Sequence, residues 1–482
     1  MLKLKDATLQ RDACLVGGSW ISADDNQFDD VTNPADGSVL GRVPHLGEAE
    51  TLRAIDAAEE ALPAWQARSA KERGAMLRRW HDLLLEHQDD LAALMTAEQG
   101  KPLAEARGEI GFAASFFEWF AEEGRRTYGD VIPSPQSDRR LLVIKQPVGV
   151  CAAITPWNFP AAMIARKAGP ALAAGCTIVI KPAGQTPYSA LAMALLAQRA
   201  GIPDGVVNVV TGDARAIGRA MTESPKVRKL TFTGSTGVGK LLLRQCADSV
   251  KKVSMELGGN APFIVFDDAD LEKAIEGVMQ AKFRNAGQTC VCANRIFVQA
   301  GIHDAFAARL AQEVAKLQVG DGAEEGVQVG PLIDAAAADK VMEQLNDAVA
   351  KGATLLQGGE RRGANFLTPA VITGATPEMD CFNEETFGPL APVFSFQDEA
   401  EVIRLANATE YGLAAYCYTR DLGRAWRLSE ALDYGMVGIN NGHVSTCEAP
   451  FGGVKQSGLG REGARQGIED YLETKYINMA IE

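Results

Sequence analysis

Histidine, paired cysteine and long apolar stretches are all scarce in this chain of 482 residues. Only five histidines are present, and nine cysteines are scattered with no C-x-x-C pair. That usage argues against a disulfide framework and a zinc site, fits a reducing compartment, and leaves no metal requirement expected. Positive charge is also in deficit: 48 Lys and Arg against 62 Asp and Glu leave a formal net charge of -14. Such a balance argues against nucleic-acid and anionic-membrane partners. The longest run of small apolar residues, 168–180, contains Gly and Pro and is too short to span a bilayer. The first six residues, Met1 to Asp6, lack the apolar segment of a secretion signal. A soluble cytoplasmic protein is therefore expected.

What is present is an ordinary globular composition, 46% hydrophobic and 23% charged, in a chain too long for one compact core. At least two domains are expected. Residues 48–126 carry helical stripes: Leu52, Ile55, Ala58 and Leu62, then 76–85, then Phe112, Phe116 and Phe120. The three phenylalanines read as core. From Gly149 the pattern alternates, with strands expected over 150–155, 177–181, 206–211, 229–233 and 252–256. Helices fall between them, over 161–174, 189–200, 214–222 and 237–247. Alternation of this kind predicts an open parallel sheet covered by helices, with ligands at the carboxyl ends of its strands. A second α/β stretch starts with a strand over 262–266 and continues with a helix over 271–283, a strand over 295–298 and a helix over 304–317. The alternating segment 141–145 and the tail 470–479 fit neither core, and unpaired peripheral strands of this type suit pairing with another chain.

Several strand ends carry chemistry. FTGSTGVGKL (232–241) opens a helix with a Gly-rich turn suited to a phosphate. Gly234, Gly239 and Lys240 have P-loop spacing, but Leu241 stands where a magnesium-holding Ser or Thr is required, so a dinucleotide suits the loop better than a nucleoside triphosphate. PWNFP (156–160) stiffens Asn158 between prolines and makes its amide a candidate oxyanion donor. Lys181 ends the next strand, where it suits a ribose or phosphate. Glu256 ends an apolar strand before Gly258 and Gly259, and burial there raises a carboxyl toward general-base duty. In FRNAGQTCVC (283–292), Cys290 sits in a loop of small and polar residues that suits a thiol meant to be approached. Each of these has a plainer reading as a turn residue, a solvated charge or a packed thiol. Their joint position at one set of strand ends favours the catalytic one.

Seven motifs in order, PWNFP, KPAGQTP (181–187), FTGSTGVG, MELGGNAP (255–262), FRNAGQTCVCANR, EETFGP (384–389) and APFGGVKQSGLGREG (449–463), make the chain resemble the aldehyde dehydrogenase superfamily over nearly its whole length. Within it, the chain is most similar to the succinate-semialdehyde dehydrogenases of bacterial 4-aminobutyrate breakdown. The resemblance implies a Rossmann-like open parallel sheet in a cofactor domain (1–127 and 148–257) and a second α/β catalytic domain (258–456). It also implies a small β oligomerisation element (128–147 and 457–482) that assembles a dimer of dimers.

The same resemblance makes Cys290 the nucleophile and Glu256 the general base, with Asn158 and the Cys290 backbone N–H as oxyanion donors. Lys181 and Glu385 are implied to hold the cofactor riboses, Ser235 to touch phosphate and Phe387 to pack by the nicotinamide. Thr155, Pro156, Trp157, Ala183, Gly184, Gly212, Gly218, Gly234, Val238 and Leu257 complete the implied cofactor contacts. Relatives selective for NAD commonly have glutamate where this chain has Gly184, so NADP is expected to be preferred, with NAD possible. Arg166 and Arg284 match the positions at which the semialdehyde branch holds a distal carboxylate, for which a guanidinium fork is well shaped, and Ser445 would add a hydroxyl contact. The expected substrate is succinate semialdehyde, then glutarate semialdehyde or a broader set of aldehydes. A thiol esterase without redox chemistry is the alternative from another class. Cys292 reads as a packed residue, with a reversible Cys290–Cys292 disulfide as the other option.

Overall fold

The computed structural model describes residues 3–481; Met1, Leu2 and Glu482 lie outside it, so the first two residues of the segment read for a secretion signal are outside the described residues. Among the described residues, two large sheets and a small three-stranded one organise the chain, beside two strand pairs, Arg361–Arg362 with Phe366–Leu367 and Phe28–Thr32 with Val39–Pro44. The first has eight strands. Its parallel centre runs Val207–Val209, Thr177–Lys181, Val150–Ile154, Val227–Thr233 and Lys252–Glu256 in spatial order. The chain starts in the middle strand, winds to one side, then crosses and winds to the other. The order therefore reverses between Val150–Ile154 and Val227–Thr233, the switch point at which such sheets leave a crevice beyond their strand ends. Register aligns the chemistry there: Ile154 pairs with Lys181, Phe232 with Ile154, and Thr233 with Glu256.

Helices cover both faces of this sheet, as the alternation predicted. The stripe at Met76 belongs to Ala70–Glu86, opened by a capping box between Ser69 and Glu72. Phe116 and Phe120 of Leu103–Glu123 are buried as expected, but Phe112 is not wholly core and lines the cavity described below. Helix Ala162–Ala174 follows PWNFP directly. Its first free amides, those of Ala161 and Ala162, are accepted by Glu109 Oε1 at 3.0 and 3.2 Å, and it ends at Gly175 with φ 98°.

The second sheet has seven strands with Ala293–Gln299 and Ala261–Val265 at its centre, all parallel except the edge strand Thr354–Gln357. The small sheet pairs Leu472–Ala480 with Arg139–Pro147 and that strand with Asp130–Ile132, all antiparallel. It leaves Val131 78% and Tyr476 56% exposed. One boundary differs from expectation: Gly458–Leu459 does not join the small sheet but closes the edge of the first one, antiparallel to Lys252–Glu256. The reason is local. Leu257 N donates to Ser457 O, and Gly458 packs its Cα face on the Met255 carbonyl, where any Cβ would stand 1.8 Å from the oxygen. No helix among the described residues is long and apolar enough to cross a membrane.

Candidate active site

Cys290 stands between two cavities and lines both. It follows the helix Leu271–Phe283 and a tight turn in which Asn285 and Ala286 take left-handed φ of 51° and 54°. Non-glycine residues hold that conformation only when neighbours fix them. Here Gln99 Nε2 donates to Asn285 Oδ1 at 3.0 Å, Asn285 N donates to Glu105 Oε2 at 2.8 Å, and Gln288 Nε2 donates to Asn285 O at 3.1 Å. Beyond the thiol, Tyr416 Oη donates to the Val291 carbonyl at 2.8 Å. Cys292 is fully buried and accepts from Lys282 Nζ at 3.3 Å, which is the packed role expected of it. Burial, then the Glu385 carboxylate, pushes the Cys290 thiol up to about 12, with Arg166 pulling the other way. A thiol raised in this way favours its protonated form and must lose that proton to become nucleophilic.

The Asn158 side chain lines the second cavity beside Cys290 and donates to the Gln288 carbonyl at 3.0 Å, which leaves its other N–H for a guest oxygen. Glu256 is 2% exposed and sits at its strand end, but it lines neither cavity. Its Oε1 lies against Gly452, where a Cβ would be 3.0 Å away, and its Oε2 has no hydrogen-bond partner among the described residues. Burial, then the neighbouring Glu462 carboxylate, raises Glu256 well above the usual carboxylate range. Glu462 is bound by Lys167 Nζ and lies 3.6 Å from Arg166 Nε. Neither Lys167 nor Glu462 was marked out by the sequence. Lys167 directly follows Arg166 and Glu462 lies in the 449–463 motif, so both were in view without a reason to choose them.

The first cavity, of about 310 Å³, is lined by Phe112, Phe159, Met163 and Phe451 and by the three residues expected to bind substrate, Arg166, Arg284 and Ser445. Arg166 is 1% exposed, with its guanidinium 4.2 Å from the Phe451 ring centroid, and its Nε and Nη1 lack hydrogen-bond partners among the described residues. Buried guanidinium donors without partners are costly, and an anionic guest satisfies them. Arg284 is half-buried over Phe159, and its Nη1 is 3.4 Å from His443 Nδ1. His443 lines the same cavity and was not singled out from the sequence.

The second cavity, of about 320 Å³, opens at the strand-order switch and brings together Pro156, Trp157, Gly234, Ser235, Leu257, Glu385 and Phe387 of the expected cofactor residues. Ser235 caps helix Thr236–Ala247 by accepting from Val238 N at 3.4 Å. Trp157 and Phe387 meet edge to face at 5.6 Å, Phe387 in a left-handed conformation with φ 53°. Glu385 Oε1 accepts from Gly259 N at 2.9 Å, and burial pushes this carboxyl up to about 7. Thr155, Lys181, Ala183, Gly184, Gly212, Gly218 and Val238 are outside this lining. Lys181 is buried, and its Nζ donates to Pro182 O at 3.0 Å. Gly212, φ 124°, packs on the Leu46 backbone, where a Cβ would be 2.2 Å from Leu46 N, so close packing alone requires glycine there. Gly184 and Gly218 face open space, with nothing within 4 Å of an added Cβ. Among the described residues the buried hydroxyls of Thr155, Thr233 and Thr386 lack partners, and Thr233 and Thr386 line the cleft, so its walls have acceptors and donors to spare for a dinucleotide.

A thiol between a strand-end cleft of this kind and a cavity with spare guanidinium donors is the arrangement of a dinucleotide-dependent oxidoreductase. The chain belongs to the aldehyde dehydrogenase family, whose model matches residues 20–477. It is 63% identical to the NADP(+) succinate-semialdehyde dehydrogenase GabD of Escherichia coli (strain K12), each chain covered in full. It is 62% identical to a glutarate-semialdehyde dehydrogenase of Pseudomonas putida, again with 100% of both chains covered. A crystal structure of an E. coli NADP dependent enzyme superposes with a TM-score of 0.99 at 62% identity, covering 99% of this chain and 100% of that one.

Proposed function

We propose that the protein oxidises the ω-semialdehydes of dicarboxylic acids to the acids, succinate semialdehyde first and glutarate semialdehyde second, with NADP preferred to NAD. One observation carries this reading: Cys290 lines both the cavity that holds Arg166, Arg284 and Ser445 and the cleft at the strand-order switch. A carboxylate gripped by the arginines places the aldehyde end at the thiol. The two substrates differ by one methylene, a difference of about 1–3 kcal/mol in a pocket, and relatives at 63% and 62% identity bear the two names.

Cys290 passes its thiol proton to water and adds to the aldehyde as a thiolate, and the resulting oxyanion meets the free N–H of Asn158 and the Cys290 backbone N–H. A nicotinamide dinucleotide held in the cleft would supply the hydride acceptor for that carbon. Cys290 is left as a thioester, an acyl group that water hydrolyses readily. Glu256 takes the proton from this water, turning toward Cys290 from its resting place beside Gly452 and Glu462. Glu385 and Lys181 hold the cofactor riboses, Ser235 and the Gly234 turn hold phosphate, and Trp157 and Phe387 wall the nicotinamide end. The absence of a carboxylate at Gly184 removes repulsion of a 2′-phosphate, which supports NADP.

We further assign 1–127 and 148–257 to cofactor binding, 258–456 to catalysis, and the antiparallel sheet with Arg139–Pro147 and Leu472–Ala480 to assembly of a homotetramer in the cytoplasm. The exposed Val131 and Tyr476 support that last role. The test is a substrate panel read by nicotinamide absorbance. The reading requires kcat/KM with NADP to be highest for succinate or glutarate semialdehyde. Hydrolysis of an ester such as 4-nitrophenyl acetate, with no reduced nicotinamide formed from any aldehyde, would point to the esterase alternative.

A further inference from the structure

Lys101 is a buried cation that the chemistry above does not use. It follows Gly100 (φ 94°) at the end of helix Gln88–Gln99 and is 2% exposed. An ammonium kept out of water is expensive unless every proton is engaged. Lys101 Nζ donates to Glu109 Oε2 at 2.5 Å and to the Asn158 carbonyl at 2.7 Å, and lies 4.1 Å from the Phe159 ring centroid. Its three donors thus meet a carboxylate, a carbonyl and a π face. The other oxygen of Glu109 accepts the amides of Ala161 and Ala162. One ion pair therefore ties the helical layer to both the Asn158 main chain and the start of the helix that bears Arg166.

The Asn158 carbonyl is held a second time, by Asn285 Nδ2 at 3.0 Å, from the turn that leads to Cys290. The residue proposed to meet the oxyanion is thus fixed through its backbone from both domains, and Lys101 supplies the charged half of the clamp. The Asn158 carbonyl receives this ammonium two bonds from the Cα that aims the amide.

We propose that Lys101 is a positioning residue for the oxyanion site: clamped by Glu109, its ammonium fixes the Asn158 main chain so that the side-chain amide stays aimed at the carbon attacked by Cys290. This rests on the reading of Asn158 as an oxyanion donor. Lys101 also lines the cavity that holds Arg166 and Arg284, so its competing role is direct contact with the substrate carboxylate. The two roles separate kinetically. A positioning role acts on the chemical step for any aldehyde, whereas a carboxylate contact acts on KM for charged aldehydes alone.

The experiment measures the burst rate of NADPH formation and KM for succinate semialdehyde and butanal. It compares the wild type, Lys101→Met, Lys101→Met/Glu109→Gln, Asn158→Ala and Asn158→Ala/Lys101→Met. The paired Lys101→Met/Glu109→Gln variant leaves no uncompensated carboxylate and serves if Lys101→Met fails to fold; thermal melting and NADP affinity check both. Lys101→Met is expected to slow the burst about 10- to 100-fold for both aldehydes, with KM within about threefold. Added to Asn158→Ala, it is expected to cost less than about twofold more, because the two residues act as one unit. Losses that multiply in the double variant, or an effect confined to KM for succinate semialdehyde, overturn the proposal. An Asn158→Ala variant with an unchanged burst overturns the oxyanion reading itself, and the proposal with it.

Discussion

Glu256 lies beside the carboxylate of Glu462, which with burial raises its pKa well above the usual carboxylate range, and Glu462 is itself paired with Lys167 and Arg166. A carboxyl so raised is neutral below its shifted pKa and becomes a base only as pH rises through it. Hydrolysis of the thioester should therefore fail on the acid side, at a pH above the ordinary carboxylate range. Replacing Glu462 by Gln removes the like charge and should move that acid limb to lower pH, on the order of one pH unit. The check is the pH profile of steady-state turnover, taken where hydrolysis limits it. A limb that stays in place would show that Glu462 does not set the base.

Arg166, whose Nη1 has no partner among the described residues, and the half-buried fork of Arg284 line one cavity. An Arg284→Ala variant should lose about 10- to 100-fold in kcat/KM for succinate semialdehyde, the worth of a charged hydrogen-bonded pair. For a neutral aliphatic aldehyde the loss should stay within about threefold. Equal losses on both would sink the carboxylate assignment.

Space beside Gly184 is open, since an added Cβ has no neighbour within 4 Å. A Gly184→Glu chain should therefore fold normally and place a carboxylate where it repels a 2′-phosphate. The kcat/KM for NADP should fall about tenfold or more, with that for NAD kept or raised. A wild type that already prefers NAD would contradict the cofactor reading before the variant is made.

Glu385 carries a pKa pushed up to about 7 by burial. Ribose hydroxyls donate to its anion, which is lost as pH falls through that value, so NADP should bind about tenfold more weakly at pH 6 than at pH 8. In Glu385→Gln this slope should flatten while affinity at pH 8 drops. Titration of NADP fluorescence quenching at the two pH values checks both.

Much of the candidate site was legible in the sequence because its candidate reacting groups are chemically distinctive residues placed at strand ends. Asn158, Lys181, Glu256 and the Gly234 turn each close a strand of one parallel sheet, and alternation of apolar runs was enough to predict that sheet and its ligand edge. What the sequence could not expose were pairings between distant segments. Glu462 reaches Lys167 and Glu256 from near the chain end, and Lys101 reaches Asn158 from a helix terminus; neither has a local periodicity or spacing that signals it. Phe112 fell on a helical stripe that is core elsewhere, and only the packing of Leu103–Glu123 against the loop at Phe159 turned that position into cavity wall. Gly458–Leu459 was misplaced for a similar reason: a two-residue strand has no pattern of its own and takes its sheet from its neighbour.

The central claim is that Cys290 carries the acyl group between oxidation and hydrolysis. The most direct test mixes a Glu256→Gln variant with succinate semialdehyde and NADP, follows reduced nicotinamide in the first turnover, and maps the product by mass spectrometry. The account predicts a burst of one NADPH per competent site, little turnover afterwards, and a succinyl thioester on the peptide that contains Cys290. Sustained turnover at the wild-type rate, or a burst that leaves Cys290 unmodified, would contradict it.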